Sequence, residues 1–147
     1  MTFEELDRKF PNAFVNAHVM SISVDFGKAT VRLHLSLRGN LPESPDRDVY
    51  TSAVLVARGI YYVSIEPPDA DHLLGPKREK ITVDGHPEDP GKFPQYSRLK
   101  PRLATNAFVC RFFVHDWNSF IHIGAEDAEF NWLSNDQPKL LGGEGVR

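Results

Sequence analysis

Two runs of alternating polarity, separated by a glycine turn, restrict this chain more than any other feature. Met20, Ile22, Val24 and Phe26 alternate with Val19, Ser21, Ser23 and Asp25. After Gly27-Lys28, Ala29, Val31, Leu33, Leu35 and Leu37 alternate with Thr30, Arg32, His34, Ser36 and Arg38. Successive side chains of a strand point to opposite faces, so a period of two predicts a strand with one buried side. Two such runs joined by a short glycine turn predict a β-hairpin with a single apolar face.

The residues before the hairpin have a different period. Thr2-Phe3-Glu4-Glu5 fits a capping box, in which the Thr2 hydroxyl accepts from the Glu5 amide and the Glu5 carboxylate reaches back. A short helix from Phe3 to Phe10 then ends before Pro11. Phe3, Leu6 and Phe10 fall on one side of it, predicting that the helix lies against a sheet.

Downstream, Val49 to Ile65 is long and β-prone, and Gly59 within it predicts a bulge, a bend or a break between two strands. Residues 66–106 hold seven of the eleven prolines and one plausible strand, Lys80 to Val83, so they read as a long surface excursion. Phe108 to His115 and Phe120 to Leu133 return to strand pattern, and the Gly-rich residues 134–147 read as a flexible tail. No second amphipathic helix is available to cover a parallel sheet. The expectation is one mainly β domain over residues 1–133: an antiparallel sandwich or partly open barrel with one short N-terminal helix.

Composition narrows the function classes. With 147 residues, 41% apolar and 25% charged, the chain has the make-up of an ordinary globular domain. A net charge of −3 supplies no field to recruit nucleic acid or an anionic membrane, and neither is expected as a partner. The single cysteine, Cys110, excludes an intramolecular disulfide and a cysteine-rich zinc framework. The acidic start lacks the features of a signal peptide, and no run approaches the roughly 18 apolar residues of a spanning helix. A cytoplasmic protein is expected.

The stretch with the most chemistry is His115-Asp116-Trp117-Asn118-Ser119-Phe120-Ile121-His122. If Asp116 to Ser119 turn a hairpin, His115 faces Phe120, Phe113 faces His122, and Arg111 faces Gly124. One side of that hairpin is then core: Cys110, Phe112, Val114, Ile121, Ile123 and Ala125. The other carries Arg111, Phe113, His115, Phe120, His122 and Glu126, with Arg111 and Glu126 placed to pair diagonally. This face, with Trp117 at the tip, is the candidate ligand- or partner-binding surface. Imidazoles titrate near neutrality, an arginine is a fixed cation, and flat rings can floor a binding surface.

Other chemistries find less support. His115 and His122 form a diagonal pair without an evident third ligand, so neither a metal nor any other cofactor is expected. Ser119 lacks a glycine-flanked elbow, and Cys110 falls on the core side, so no catalytic residue is assigned. Asp69-Ala70-Asp71-His72 matches no cation-loop signature. Lys77, Arg78, Lys80, Lys92, Arg98, Lys100 and Arg102 are interspersed with acids, which dilutes any phosphate-tracking stripe.

Phe10-Pro11-Asn12-Ala13-Phe14-Val15-Asn16-Ala17-His18, followed by the alternating hairpin, resembles the start of small uncharacterised bacterial β-rich domains. Some of these are grouped with putative immunity proteins of contact-dependent toxin systems, which often open on a Gly-Phe-His-Asp-Ala type motif. Here its glycine, histidine and aspartate positions read Ala13, Val15 and Asn16, so no site residue is carried over. The resemblance implies a non-catalytic binding protein.

The expected function is therefore that of a protein-binding, immunity-like module rather than an enzyme. The alternative is a small-ligand-binding or hydrolytic domain using the polar face of the late hairpin. A homodimer through a sheet edge or a wet face is a further expectation.

Overall fold

The computed structural model describes residues 1–38, 50–71, 79–89 and 107–133. The expected tail, 134–147, and much of the Pro-rich excursion lie outside them.

Helix α1 spans Phe3–Lys9 and carries the full capping box, the Glu5 amide donating to Thr2 Oγ1 and the Thr2 amide to Glu5 Oε1. Among the described residues eight strands follow in chain order: β1 Ala17–Asp25, β2 Thr30–Arg38, β3 Tyr50–Arg58, β4 Tyr62–Ile65, β5 Ile81–Glu88, β6 Phe108–Val114, β7 Ser119–Ala125 and β8 Asp127–Trp132. All pair antiparallel in one sheet of order β4-β7-β6-β5-β1-β2-β3-β8. The chain is mainly β with one short helix, as its patterning predicts. The sheet is not closed into a barrel; β4 and β8 are its two ends. Among the described residues, no helix is long and apolar enough to cross a membrane.

Laid flat, eight strands would extend roughly 34 Å across. Yet Val31, Leu33 and Leu35 of β2, Leu55 of β3, Val83 of β5, Phe112 of β6 and Ile121 and Ile123 of β7 belong to one buried cluster. The sheet must therefore curl around a single core. Gly59 breaks β3 from β4 with a φ of 66°, and the side chain of Glu126, between β7 and β8, packs against it. The Glu126 amide donates to the carbonyls of Arg58 and Gly59, fastening the two corners together. Helix α1 fills the core: Phe3 and Leu6 are fully buried, and the Phe3 ring lies 4.8 Å from Phe14 and 5.7 Å from Phe112.

Two expectations need correction. Residues 66–106 are not only a surface excursion, because β5 runs to Glu88 and sits between β1 and β6 in the sheet. Pro87 is tolerated there because the β1 ladder covers only Ile81 to Val83 of β5, so among the described strands none on that side requires a Pro87 amide. The first run of the early hairpin is also not buried throughout. A bulge between Val19 and Ser21 moves the core-facing positions from odd to even residues. Beyond the bulge Met20 and Val24 are each 40% exposed, and Phe26, now in the turn, is 90% exposed.

Candidate functional site

The late hairpin forms, but with its register moved by two residues. Its turn is His115–Asn118, with Asn118 left-handed at φ 50°, and Ser119 is the first residue of β7. Phe113 faces Phe120, Arg111 faces His122, and Val109 faces Gly124. A shift of one would have exchanged the two faces; a shift of two preserves them. Cys110, Phe112, Val114, Ile121 and Ile123 therefore point to the core, and Arg111, Phe113, Phe120 and His122 share the outer face.

That face extends over neighbouring strands. One cross-strand row reads Asp84, Phe113, Phe120; the next reads His86, Arg111, His122, Ser64; a third reads Glu88, Val109, Gly124, Tyr62. The Tyr61 ring lies over Gly124, where a Cβ would come within 2.6 Å of it, and its hydroxyl donates to the Phe108 carbonyl at 2.7 Å. Only glycine fits beneath that ring.

The side chains make an unbroken chain of contacts. Ring centroids lie 5.3 Å apart from His115 to Phe113, 5.3 Å from Phe113 to Phe120, 5.9 Å from Phe120 to His122 and 6.5 Å from His122 to Tyr62. The Arg111 guanidinium sits 5.2 Å from the Phe120 centroid, a cation–π distance. Its Nη1 pairs with Glu88 Oε2 at 3.1 Å, and the Glu88 side chain is only 9% exposed. His115 Nε2 meets Asp84 Oδ2 at 2.9 Å, while Asp84 Oδ1 accepts the Asn16 amide. Glu66 accepts the Phe120 amide at 2.9 Å, tying the chain after β4 to the start of β7. Burial holds His122 below the ordinary imidazole pKa, the nearby Glu66 carboxylate opposing it, which favours the neutral ring.

The predicted site residues therefore separate. Arg111, Phe113, Phe120 and His122 come together, with His115 at the end of the ladder but in the turn rather than beside His122. Glu126 does not pair with Arg111; it is held at the Gly59 corner, and Glu88 of β5 takes its place. Trp117 folds back, packing against the core and lining a groove with Val19, Ile22 and Ile81. Asp84, His86, Glu88 and Tyr62 were missed. The signal for the first three is the alternation of Thr82, Asp84, His86 and Glu88 with Ile81, Val83, Gly85 and Pro87, disguised by a glycine and a proline.

The remaining candidates have structural partners. Ser119 is 5% exposed and faces the core side, its hydroxyl within 3.4 Å of the Glu66 carbonyl. Cys110 is 1% exposed, and burial pushes its thiol pKa far up. Asp116 accepts the Thr82 amide, and Asp69 accepts from both the Asp71 amide and Asn118 Nδ2. His18 stacks on Tyr50 at 4.2 Å. Among the described residues, no group of three or more His, Cys, Asp or Glu side chains is placed to hold a metal ion. His72, and of the basic positions Lys77, Arg78, Lys92, Arg98, Lys100 and Arg102, lie outside the described residues.

No protein-family model matches the chain, and no curated protein matches it. Among solved structures, it is similar to the crystal structure of an uncharacterized protein from Neisseria gonorrhoeae. The identity is 14%, over 80% of this chain and 92% of that one, with a TM-score of 0.42. A likeness of that degree carries no argument about function.

Proposed function

We propose that this chain is a non-catalytic recognition domain that binds a protein partner in the cytoplasm through the outer face of β5, β6, β7 and β4. The carrying observation is the ladder from His115 to Tyr62, with Arg111 laid on Phe120 and fixed by Glu88. Tyr, Phe and Arg are the side chains enriched at the centres of protein interfaces. Rings and a guanidinium already held in place lose little conformational freedom on binding. Asp84 and His86 supply a polar rim, and His86 is exposed. An immunity-type role, suggested by the partial opening motif, is the specific form of this reading. The hydrolytic alternative lacks support from Ser119 and Cys110, since both candidate nucleophiles face inward.

The test is a photo-crosslinking phenylalanine analogue placed at His86, with the same analogue at exposed Asn131 of β8 as the control. In cells of the native host, the His86 position should give a discrete adduct with a different polypeptide, lost when Arg111→Ala and Phe120→Ala are introduced together. No adduct beyond the Asn131 control would overturn the reading, as would an adduct indifferent to those substitutions.

A further inference from the structure

Among the described residues, β1 beyond its bulge is paired with β2 on one edge only. β5 leaves the β1 ladder at Ile81, opposite Val19. Among the described residues, no strand pairs with that edge from Ser21 to Asp25. An edge of unpaired amides and carbonyls flanked by apolar side chains is a template for another strand, and soluble proteins normally blunt it. Here it carries Val24 and Met20, each 40% exposed, and leads into Phe26 at 90%. Where β5 parts from β1, a groove of about 220 Å³ opens, lined by Val19, Met20, Ile22, Ile81 and Trp117, with Glu79 and Lys80 at its rim.

We propose that the β1 edge from Ser21 to Asp25 pairs antiparallel with the same edge of a second copy of this chain, about a two-fold axis at Ser23, seating each Phe26 in the other copy's groove. A two-fold axis perpendicular to a sheet pairs residues of equal parity, so the apolar even positions meet each other. With the axis at Ser23, Ile22 faces Val24, Met20 faces Phe26, Ser21 faces Asp25, and Ser23 faces itself. No like charges lie opposite, and both apolar pairs share one face. Neighbouring registers fit less well. Moved two residues one way, Phe26 falls opposite His18, whose outer edge is already taken by Thr82 of β5. Moved two the other way, it stops opposite Ile22, short of Met20.

The groove suits the ring that reaches it. A cavity of roughly 150 Å³ accommodates a benzene ring, so a groove of about 220 Å³ is large enough for a phenylalanine. Lys28, two residues beyond Phe26, arrives where Glu79 and Lys80 both line the partner's groove, so charge neither drives nor opposes the seating of Phe26. This surface lies away from the Arg111 face, so the two proposals stand or fall separately.

Sedimentation equilibrium and disulfide trapping test it together. Opposed residues of an antiparallel pair have Cα atoms roughly 4.5 or 5.5 Å apart, both within disulfide reach. Ser23→Cys should therefore form an intermolecular disulfide with itself under mild oxidation, while Asn131→Cys should not; buried Cys110 does not compete. Phe26→Ser should weaken the dimer by about tenfold or more with an unchanged far-UV circular dichroism spectrum, since Phe26 is 90% exposed. The proposal is overturned if the wild-type chain sediments as a monomer and Ser23→Cys oxidises no faster than Asn131→Cys. It is equally overturned by a dimer whose dissociation constant Phe26→Ser leaves unchanged.

Discussion

His122 shows how a single residue reports on the candidate face. It is 8% exposed beside Arg111, and burial lowers its pKa below the 6.5 of a free imidazole. Below about pH 6.5 the unfolded chain takes up a proton there that the folded chain resists. The contribution of a neutral His122 to stability is thus complete above that pH and is lost as pH falls toward the lower folded value. His18 shifts in the same direction, through burial and the nearby Lys80, so it adds to the same acid-side slope. His122→Gln should therefore flatten, without abolishing, the decline in unfolding free energy between pH 7 and 5, followed by urea titration at stepped pH. A wild-type slope in that variant would show that the imbalance of protons lies elsewhere. The sequence marks His122 as an ionisable group on the wet side of a strand. It does not mark it as buried, because the side chains packed around it include Tyr62 of β4 as well as residues of its own hairpin.

At the scale of the element, the β6–β7 hairpin separates what local pattern specifies from what it does not. Alternation assigned the faces of both strands, and they survived a register error because the error was two residues rather than one. The turn itself was misplaced because Asp116, Asn118 and Ser119 all suit a turn, and only the backbone decides which is last. Asn118 ends it at φ 50°, and its Nδ2 donates to Asp69 Oδ2 at 2.7 Å. A left-handed conformation costs an ordinary L-residue about 1–2 kcal/mol, a cost that glycine escapes. Asn118→Ala should therefore lower stability by about 1–2 kcal/mol, and Asn118→Gly by appreciably less, although both remove the bond to Asp69. The difference between the two isolates the backbone term, read as a shift in the urea midpoint at constant m. Equal losses would place the role of Asn118 in its side chain alone.

For the molecule as a whole, the least legible feature was the central position of β5, and with it half of the candidate face. Asp84, Gly85 and Pro87 look like loop residues, yet Gly85 is there because its neighbours leave no room. A Cβ at Gly85 would lie 2.8 Å from the Phe112 ring, and its amide donates to the Phe14 carbonyl at 2.8 Å. Helix α1, by contrast, was legible from its capping box and apolar spacing, because both are local. What could not be read locally is that α1 and Phe14 join β5 to β6 across the core: Phe3 packs on both Phe14 and Phe112. Phe3→Ala removes a fully buried ring from this junction, and a large-to-small change of that kind costs about 3–5 kcal/mol. The loss should not be uniform. Amides of β5 and β6 should gain hydrogen exchange more than those at the β2–β3 ladder, since β2 and β3 pair along their whole length while the rings that meet Phe3 are Phe14 and Phe112 of β6. Native-state exchange on the Phe3→Ala variant would resolve this, provided exchange is followed below the global unfolding limit. Uniform acceleration across all strands would mean that the sheet opens as a single unit and that α1 stabilises it globally. Selective acceleration of β5 and β6 would show that the helix holds in place the two strands that carry Glu88 and Arg111, linking the N-terminal capping box to the geometry of the proposed binding face.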